Sequence, residues 1–490
     1  MLKRGVSLCC AIVALFFAVA GRMGYITLSG AYSVAEGYNS YTMDISRLYM
    51  NIYSSDNQLL NNNTKSVSAI IRPNEKCLSE LNLLFNTENA KEITNELKKG
   101  YPIVRKIDKY SNTKYIKTIE LINENSDDML CRHMIDKACG GLEQHTDKEI
   151  GRLSINFSVD AVGRVLNGDA GEIINDNYDS TQGVTVSINS KIQRIAEEAC
   201  KNMKEGSLVV LDADTSQILA SVSKGEGYLN KSLSSYAVGS VFKLIICATA
   251  LENNINPSFE CKSEIKVGDT VFHCQNNKEH KKQTMKEALA NSCNCYFVNL
   301  ALMLGKDKIV DTATKFGYCK DYYLYNNMWL VKASAFPSKE RLEESGQLAL
   351  LGFGQGQLTD TTVHFASVTA CIANGGNYTL PTLNNNANDN KSERAISEKT
   401  AQKLREYMRY AVTNGTALNA EYKGKTAGKT ATAQSGVYAD GKELLNTWFA
   451  GFYPYEKPKY AVVVMTEGGN SGAEDCCPVF RTLVEMLAKM

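Results

Sequence analysis

The N-terminal apolar segment constrains this chain more than any other feature of its sequence. Lys3 and Arg4 precede residues 6–26, which are almost entirely apolar. A helix of about 20 such residues is long enough to cross the hydrocarbon layer of a membrane. Because positive flanks stay in the cytoplasm, we expect residues 1–5 to form a cytoplasmic tail and residues 6–26 a single-pass membrane anchor. Everything after the anchor would then be extracytoplasmic.

The same segment also fits a cleaved signal peptide. Ala18, Val19 and Ala20 have the A-x-A form that signal peptidase recognises. The apolar run continues past this site, which favours an uncleaved anchor. In both cases the rest of the chain is exported.

The remaining chain is too long for one ordinary core, and its pattern changes near Val184. Residues 27–180 are rich in Asn, Lys and Asp with weak periodicity, which predicts a mixed N-terminal extracytoplasmic domain. Residues 181–490 have a clearer pattern and form a second domain. The chain has 54 Lys and Arg against 53 Asp and Glu, so no net charge favours binding to nucleic acid.

The second domain has the pattern of an α+β fold. Apolar residues at helical spacing predict helices, and short apolar runs next to turn residues predict strands. A hairpin and three later strands suggest an antiparallel sheet flanked by helices. The predicted helices are 191–203, 244–252, 286–290 and 479–490, and the predicted strands are 207–212, 217–223, 429–434, 448–452 and 460–466.

Ser240 and Lys243 form the first candidate for chemistry. They precede an apolar run typical of a buried helix, and a spacing of three places both side chains on one face. A serine hydroxyl is a weak nucleophile, so it needs a neutral amine as base, and burial lowers a lysine pKa. The spacing alone is weak evidence, because Ser111 with Lys114, and other pairs, show it too.

Two later segments complete a possible site. Ser292 and Asn294 follow a predicted helix, and strand-like alternation would direct both toward one side, where a hydroxyl can relay a proton and an amide can hold a carbonyl. Lys429 and Thr430 begin a predicted strand and offer a second cation and a group for a carboxylate. Each segment alone occurs by chance elsewhere in the chain.

Together with their flanks, the three segments resemble the transpeptidase domain of class B penicillin-binding proteins, whose motifs are S-x-x-K, S-x-N and K-T-G in that order. The resemblance runs from about Val184 to the C-terminus and implies a transpeptidase or serine β-lactamase-like fold. Residues 27–180 would be the smaller dimerisation or pedestal-like domain. The segments that carry it are 236–243, 291–297, 352–357, 372–376 and 448–454.

The resemblance implies a peptidoglycan D,D-transpeptidase that β-lactams inhibit. Ser240 would attack the penultimate D-Ala of a stem peptide, Lys243 would act as the base and Ser292 would relay a proton to the leaving amine. Asn294 would hold the acyl-peptide amide. The partners implied are stem peptides, β-lactams, the membrane and a membrane glycosyltransferase.

The same resemblance assigns the remaining binding groups. Lys429 and Thr430 would bind the terminal carboxylate, and the backbone N–H groups of Ser240 and Thr432 would form the oxyanion hole.

Two residues depart from the family pattern, and three other functions remain open. Ala431 replaces the Gly of K-T-G, and its methyl is expected to crowd the cleft. Asp360 follows Thr359 where relatives have Pro, and we expect this to affect only a turn. The alternatives are a D,D-carboxypeptidase, a β-lactam-binding sensor, and a catalytically impaired structural subunit of a cell-wall synthesis complex.

The cysteines and histidines do not suggest a metal. Fifteen Cys and five His are scattered, without a C-x-x-C pair at zinc-site spacing. Cys261 and Cys274 are candidates for a disulfide. We therefore expect neither a metal nor another cofactor.

Overall fold

The computed structural model describes residues 2–29, 39–62, 64–123, 129–166, 169–332, 334–386, 391–439 and 441–490. The start of the predicted extracytoplasmic domain, residues 30–38, lies outside the described residues. The α-helices are α1 (Leu2–Ser29), α2 (Leu78–Leu81), α3 (Thr87–Leu97), α4 (Arg132–Ile135), α5 (Ser190–Ala199), α6 (Lys243–Glu252), α7 (Met285–Ala290), α8 (Asn294–Leu304), α9 (Lys306–Lys315), α10 (Ser345–Gly352), α11 (Thr362–Ala373), α12 (Glu398–Asn414) and α13 (Cys477–Leu487).

The strands are distributed along the chain from residue 40 onward. They are β1 (Ser40–Tyr49), β2 (Asn51–Tyr53), β3 (Thr64–Ile71), β4 (Ile103–Ile107), β5 (Ile116–Asn123), β6 (Glu149–Ser158), β7 (Glu172–Asp176), β8 (Gly183–Thr185), β9 (Gly206–Asp212), β10 (Ile218–Lys224), β11 (Tyr236–Ala237), β12 (Phe259–Cys261), β13 (Glu264–Val267), β14 (Thr270–His273), β15 (Lys281–Gln283), β16 (Asp321–Tyr325), β17 (Trp329–Lys332), β18 (Ser334–Ala335), β19 (Thr359–Asp360), β20 (Asn377–Thr379), β21 (Ser392–Arg394), β22 (Ala427–Ala439), β23 (Lys442–Tyr453) and β24 (Tyr460–Gly469).

Helix α1 contains the predicted anchor. It is apolar over Gly5–Tyr25, a length of 21 residues, and none of this stretch is buried in the protein. Among the described residues it is the one helix that is both long and apolar enough to cross a membrane. This helix fits a single-pass membrane anchor.

Two compact units make up the chain. The first comprises Met1–Tyr49, Lys65–Asn123 and Glu149–Ser180, and its two three-stranded sheets have the orders β1-β6-β7 and β4-β3-β5. In this unit, α3 is amphipathic, and its buried residues Ala90 and Ile93 pack in one cluster with Ile71 of β3.

The second unit comprises Met50–Thr64, Glu124–Lys148 and Thr181–Met490. It therefore includes two segments that the sequence analysis assigned to residues 27–180. Strand β2 belongs to it because it pairs in parallel with β8, and the Val186 N–H donates to the Tyr53 carbonyl at 2.8 Å. Pairing between segments so distant in sequence leaves no local pattern.

The centre of the second unit is a five-stranded antiparallel sheet with the order β10-β9-β24-β23-β22. Strand β9 is buried on both faces, since Val209 and Leu211 pack in one apolar cluster, and Leu208 and Val210 in another. The first cluster includes residues of α6, α8 and α11, and the second includes residues of α5 and α13. The predicted antiparallel sheet flanked by helices is confirmed.

Candidate active site

Ser240 lies in a tight turn that leads into α6. Gly239–Phe242 forms a 3-10 helix, and α6 begins at Lys243, so Ser240 and Lys243 are on one side of the same turn. Gly239 has φ +63, and its N–H donates to the Gly354 carbonyl at 2.9 Å. At Gly354, with φ +80, an added Cβ would lie 1.9 Å from the Gly239 carbonyl oxygen. The glycine-rich segment after α10 therefore supports the turn that carries Ser240.

Ser292 occupies the sharp turn between α7 and α8. Its φ of 56 is left-handed, and Asn294 is the first residue of α8. The two side chains meet Lys243 because of this turn, and not because of the strand-like alternation that the sequence suggested. Cys293 caps α8 by accepting a hydrogen bond from the Tyr296 N–H.

The Lys243 amine connects the first two motifs. It donates to the Ser292 carbonyl oxygen at 2.8 Å and to Asn294 Oδ1 at 2.8 Å, and it lies 3.3 Å from Ser292 Oγ. Among the described contacts, its hydrogen bonds go to these groups and not to the Ser240 hydroxyl. A neutral amine has two N–H groups, which match the two acceptors at 2.8 Å, and its lone pair then remains for a hydroxyl.

Asn294 is held at both ends of its amide. Its Oδ1 accepts from Lys243, and its Nδ2 donates to the His273 carbonyl oxygen at 3.0 Å. The structure therefore shows that Asn294 positions the Lys243 amine. Its second Nδ2 hydrogen is left for a ligand, so the predicted contact with substrate stays a prediction.

Lys429 brings a second amine to the same hydroxyl. The Lys429 amine donates to Ser292 Oγ at 3.0 Å and to the Thr430 carbonyl oxygen at 2.6 Å. It extends from β22, an edge strand of the main sheet. Thr430 Oγ1 lies 2.6 Å from the hydroxyl of Thr416. Ser292 Oγ is thus placed between the Lys243 and Lys429 amines.

Burial controls the charge of both amines. Both side chains are fully buried. Burial lowers the pKa of Lys243 to about 8, while any negative charge on nearby thiols, Cys293 first, opposes this shift. Burial also lowers the pKa of Lys429 well below its ordinary value, and the charge of Lys243 lowers it further. Both shifts favour the neutral amine over the ammonium form.

The hydroxyl and binding groups open into a cleft of about 550 Å³. Residues of all three motifs line this cleft: Ser240, Ser292, Asn294, Thr430 and Thr432. This volume is within the range of small-molecule sites in proteins, about 300–1,000 Å³. The structure therefore brings every predicted site residue to one place, either in the cleft wall or, for the two lysines, fully buried and hydrogen-bonded to Ser292 of that wall.

Next to this site lies a cluster of which the sequence suggested only a Cys261–Cys274 disulfide, and in the structure both thiols are free. Cys261, Cys274, His280 and Cys293 each direct one ligand atom to a common point, with all four atoms within 4.8 Å of one another. The four residues come from separate segments, so they show no C-x-x-C signature. A signal in the sequence that could have revealed the cluster is the pair of cysteines on either side of Asn294, Cys293 and Cys295.

The sequence comparison decides the family. The profile of the penicillin binding protein transpeptidase domain matches residues 206–485, more than half of the chain. The chain belongs to the penicillin-binding protein transpeptidase family. The match contains all three motifs of the site.

Curated relatives of this penicillin-binding protein are distant. Stage V sporulation protein D of Bacillus subtilis is 28% identical over 375 residues, which are 67% of this chain and 56% of that protein. Peptidoglycan D,D-transpeptidase PbpA of Mycobacterium tuberculosis is 24% identical over 361 residues, which are 62% of this chain and 72% of PbpA. The chain thus spans only about half the length of the first of these relatives.

Solved structures share the fold. Penicillin-binding protein PBP2 of Helicobacter pylori, in a complex with MreC, has a TM-score of 0.69 at 19% identity and covers 92% of this chain and 99% of its own. The D,D-transpeptidase domain of a peptidoglycan glycosyltransferase from Eggerthella lenta has a TM-score of 0.59 at 21% identity, with coverage of 90% and 98%. At sequence identities of 19% and 21%, these comparisons show only that the fold is shared.

The two departures from the penicillin-binding protein pattern have structural explanations. Ala431 is 3% exposed, and it packs in the apolar cluster that contains Trp448, its partner on β23. Along β22 it shares a strand face with Lys429, while Thr430 and Thr432 are on the other. The Ala431 methyl therefore packs in the core, and Ala431 also forms part of the cleft wall.

Asp360 does more than alter a turn. It is fully buried, and its Oδ1 lies 2.7 Å from Nδ1 of the equally buried His364 on α11. The same oxygen accepts from the Thr361 N–H at 2.7 Å. The expectation of an effect limited to a turn was wrong, because the carboxylate holds β19 to α11 inside the core.

Proposed function

We propose that this chain is a peptidoglycan D,D-transpeptidase, a serine acyltransferase with Ser240 as its nucleophile and β-lactams as its inhibitors. One observation carries the proposal. The fully buried Lys243 amine, three residues after the cleft-lining Ser240, donates to Ser292 and Asn294. A second buried amine, that of Lys429, donates to the hydroxyl of Ser292. Such an arrangement supplies a base and a proton relay to one hydroxyl.

Acylation begins with proton transfer from Ser240 to the neutral Lys243 amine. The Ser240 oxygen attacks the carbonyl carbon of the penultimate D-Ala, and the oxyanion accepts hydrogen bonds from the backbone N–H groups of Ser240 and Thr432. The bond between the two D-Ala residues then breaks. Its nitrogen receives a proton through Ser292, whose Oγ lies 3.3 Å from the Lys243 amine.

The acyl-enzyme is resolved by an amine from a neighbouring stem peptide. This amine attacks the ester carbonyl, passes its proton back to Lys243 and restores the Ser240 hydroxyl. Lys429 and Thr430 bind the terminal carboxylate of the donor, and that negative charge favours the protonated form of Lys429. A β-lactam acylates Ser240 in the same way, but its leaving amine stays attached to the opened ring.

The chain architecture supports the same proposal. With α1 as a single-pass anchor, the parts of both compact units that follow α1 act outside the membrane, and the second unit carries all three motifs. A membrane glycosyltransferase is the proposed partner that supplies new glycan strands. In keeping with this, the PBP2 neighbour was solved with MreC, and another neighbour of this fold is a peptidoglycan synthase complex with a TM-score of 0.67.

Intact-mass analysis with penicillin G tests the proposal. We expect the full-length protein to gain the mass of one penicillin, and peptide mapping to place it on Ser240. Penicillin-binding protein A of M. tuberculosis, a neighbour in fold with a TM-score of 0.56, has been solved as a ceftriaxone acyl-enzyme. An unmodified wild-type protein, or an adduct that persists in Ser240→Ala, would overturn the proposal.

The acceptor distinguishes a transpeptidase from a carboxypeptidase. A stem pentapeptide incubated with an acceptor amine gives a cross-linked product in the first case and only a shortened peptide in the second. A long-lived penicilloyl ester favours a transpeptidase over a β-lactamase.

A further inference from the structure

Asp360 lies beside the strand that leads to the nucleophile. Strand β19 is the central strand of a three-stranded sheet with the order β11-β19-β18, and Asp360 lies opposite Tyr236 of β11. Ser240 follows Tyr236 by four residues. We infer that the buried pair of Asp360 and His364 positions Ser240 for acylation, so that both are positioning residues. This inference rests on the proposed function, since it concerns how fast Ser240 reacts.

The pair is held at both ends of the histidine ring. Both side chains are fully buried, and Asp360 Oδ1 lies 2.7 Å from His364 Nδ1. His364 Nε2 lies 3.0 Å from the carbonyl oxygen of Phe316, which follows α9. Because a carbonyl oxygen can only accept, Nε2 carries a hydrogen, and the short Nδ1–Oδ1 separation requires a second proton between those two atoms. The ring thus connects β19 to the end of α9.

The carboxylate of Asp360 depends on this histidine. Burial raises the pKa of the neighbouring Tyr318 well above its ordinary value, and the charge of Asp360 raises it further. Tyr318 therefore stays neutral, and within the described part of the chain His364 is the one ion-pair partner of Asp360. A buried carboxylate without its partner is strongly destabilised. We expect β19 to shift when His364 no longer donates to Asp360.

A shift of β19 would reach Ser240 by two routes. The first is the pairing of β19 with β11, which ends at Ala237, three residues before Ser240. The second is Gly354, five residues before β19, whose carbonyl oxygen accepts from the Gly239 N–H at 2.9 Å. Trp448 on β23 also holds β11, since its Nε1 donates to the Ala237 carbonyl oxygen at 2.9 Å. Loss of the pair should therefore displace the Ser240 turn without unfolding it.

The groups proposed to bind the donor lie on other elements. Asn294 begins α8, and Lys429 and Thr430 belong to β22. Loss of the pair should therefore lower the rate constant of acylation and leave the noncovalent affinity for penicillin unchanged. A loss of stability alone would lower the number of reactive molecules and leave the rate constant of each molecule unchanged. These different effects separate positioning from stability.

Acylation of the full-length protein by a fluorescent penicillin measures these quantities. Rates of adduct formation at several penicillin concentrations give the noncovalent dissociation constant and the acylation rate constant, and the amplitude gives the reactive fraction. We expect Asp360→Ala and His364→Ala each to lower the acylation rate constant by about 10-fold to 100-fold, since small displacements of catalytic groups have effects of this size. The dissociation constant should stay within about twofold of wild type. The double variant should lose no more than about twofold beyond Asp360→Ala, because the two side chains act as a unit.

Two controls separate the pair from general packing. His364→Gln keeps an N–H group that can donate to Asp360, so its acylation rate constant should stay within about threefold of wild type. Ile192→Ala removes a buried side chain of α5 from the apolar cluster on the face of the main sheet opposite α11. It should lower the melting temperature and leave the acylation rate constant unchanged. Asp360→Asn, which keeps the size of the side chain and removes its charge, replaces an alanine variant that does not fold and should show the same loss of rate.

Hydrogen exchange reports the displacement without any reaction at Ser240. Backbone amides of residues 236–242 should exchange faster in Asp360→Ala than in wild type, and by a larger factor than in Ile192→Ala. If no β-lactam reacts with the wild-type protein while this exchange increases, the proposed function fails and the coupling between the strands stands.

Four results would overturn the inference in a wild-type protein that reacts. These are an acylation rate constant of Asp360→Ala within about twofold of wild type, an equal loss in Ile192→Ala, an equal loss in His364→Gln and His364→Ala, and a weaker affinity that accounts for the whole loss. Unchanged exchange in residues 236–242 would overturn it whether or not the protein reacts.

Discussion

The buried Lys243 amine predicts a specific pH profile for acylation. Only the neutral amine can accept the Ser240 proton, so the rate follows its neutral fraction. Because burial lowers the Lys243 pKa to about 8, this fraction is about one-tenth at pH 7 and about nine-tenths at pH 9. The acylation rate constant should therefore rise about 10-fold over this range and level off above it.

An ordinary lysine would behave differently. With a pKa near 10.5, the neutral fraction is about 0.0003 at pH 7, and the rate would rise about 100-fold by pH 9 without levelling off. The two cases differ both in amplitude and in the position of the plateau. At pH 7 the lowered pKa makes the neutral base about 300 times more abundant than it would be in an exposed lysine.

Stopped-flow acylation with a fluorescent penicillin measures this profile. Rate constants are taken on the full-length protein at constant ionic strength, with short exposures at each pH. Ser240→Ala supplies the background, and the antibiotic alone supplies the rate of spontaneous ring opening. A profile that is flat from pH 6 to 9, or one that rises about 100-fold without a plateau, would refute the role of Lys243.

Asn294→Asp provides a matched change of one charge. It places a carboxylate where Asn294 Oδ1 accepts from the Lys243 amine at 2.8 Å. An opposite charge at this distance favours the ammonium form, so the midpoint of the profile should move upward by about one unit or more. The side chain keeps its size, and the change in midpoint therefore reports charge. A midpoint that stays in place or falls would contradict the assignment.

Three further predictions concern the framework of the site. Gly354→Ala should lower the free energy of unfolding in a denaturant titration by more than the loss of about 1–2 kcal/mol that its positive φ alone would cause. Gly227→Ala gives the reference value, because Gly227 has φ +82 and an added Cβ there would have nothing within 4 Å. Ala431→Gly should leave the rate constant of penicillin acylation within about twofold of wild type and lower the free energy of unfolding by about 1 kcal/mol. A large gain in the acylation rate constant would show that the methyl obstructs the cleft. Asp360→Ala should cost about 3 kcal/mol of unfolding free energy. It removes the partner of Nδ1 in the buried His364 ring, whose Nε2 keeps its contact with the Phe316 carbonyl oxygen. An unchanged melting temperature would exclude that role.

Local sequence patterns predicted the central sheet well. The run from Leu208 to Leu211 is buried on both faces, and continuous apolar strands of this kind are visible in a sequence. Helix α6 was predicted for the same reason. The position of β2 beside β8 was not, since a pairing across about 130 residues depends on tertiary contacts.

The site was predicted in its residues but not in its geometry. The flanks of the three motifs selected Ser240, Ser292 and Lys429, and the structure brings all three to one cleft or its buried support. The left-handed turn at Ser292 could not be read from composition, because serine rarely adopts it. The cluster of Cys261, Cys274, His280 and Cys293 was missed because its members come from separate segments without the spacing of a C-x-x-C pair.

A cross-linking assay with the full-length protein tests directly whether Ser240 catalyses transpeptidation. A stem pentapeptide and an acceptor amine are incubated with the wild-type protein and with Ser240→Ala, and the products are identified by mass spectrometry. We expect one terminal D-Ala to be released for each cross-linked product, with an acyl-enzyme on Ser240. Neither the product nor the acyl-enzyme should form with Ser240→Ala. Intact pentapeptide with the wild-type protein, or equal product with Ser240→Ala, would contradict it.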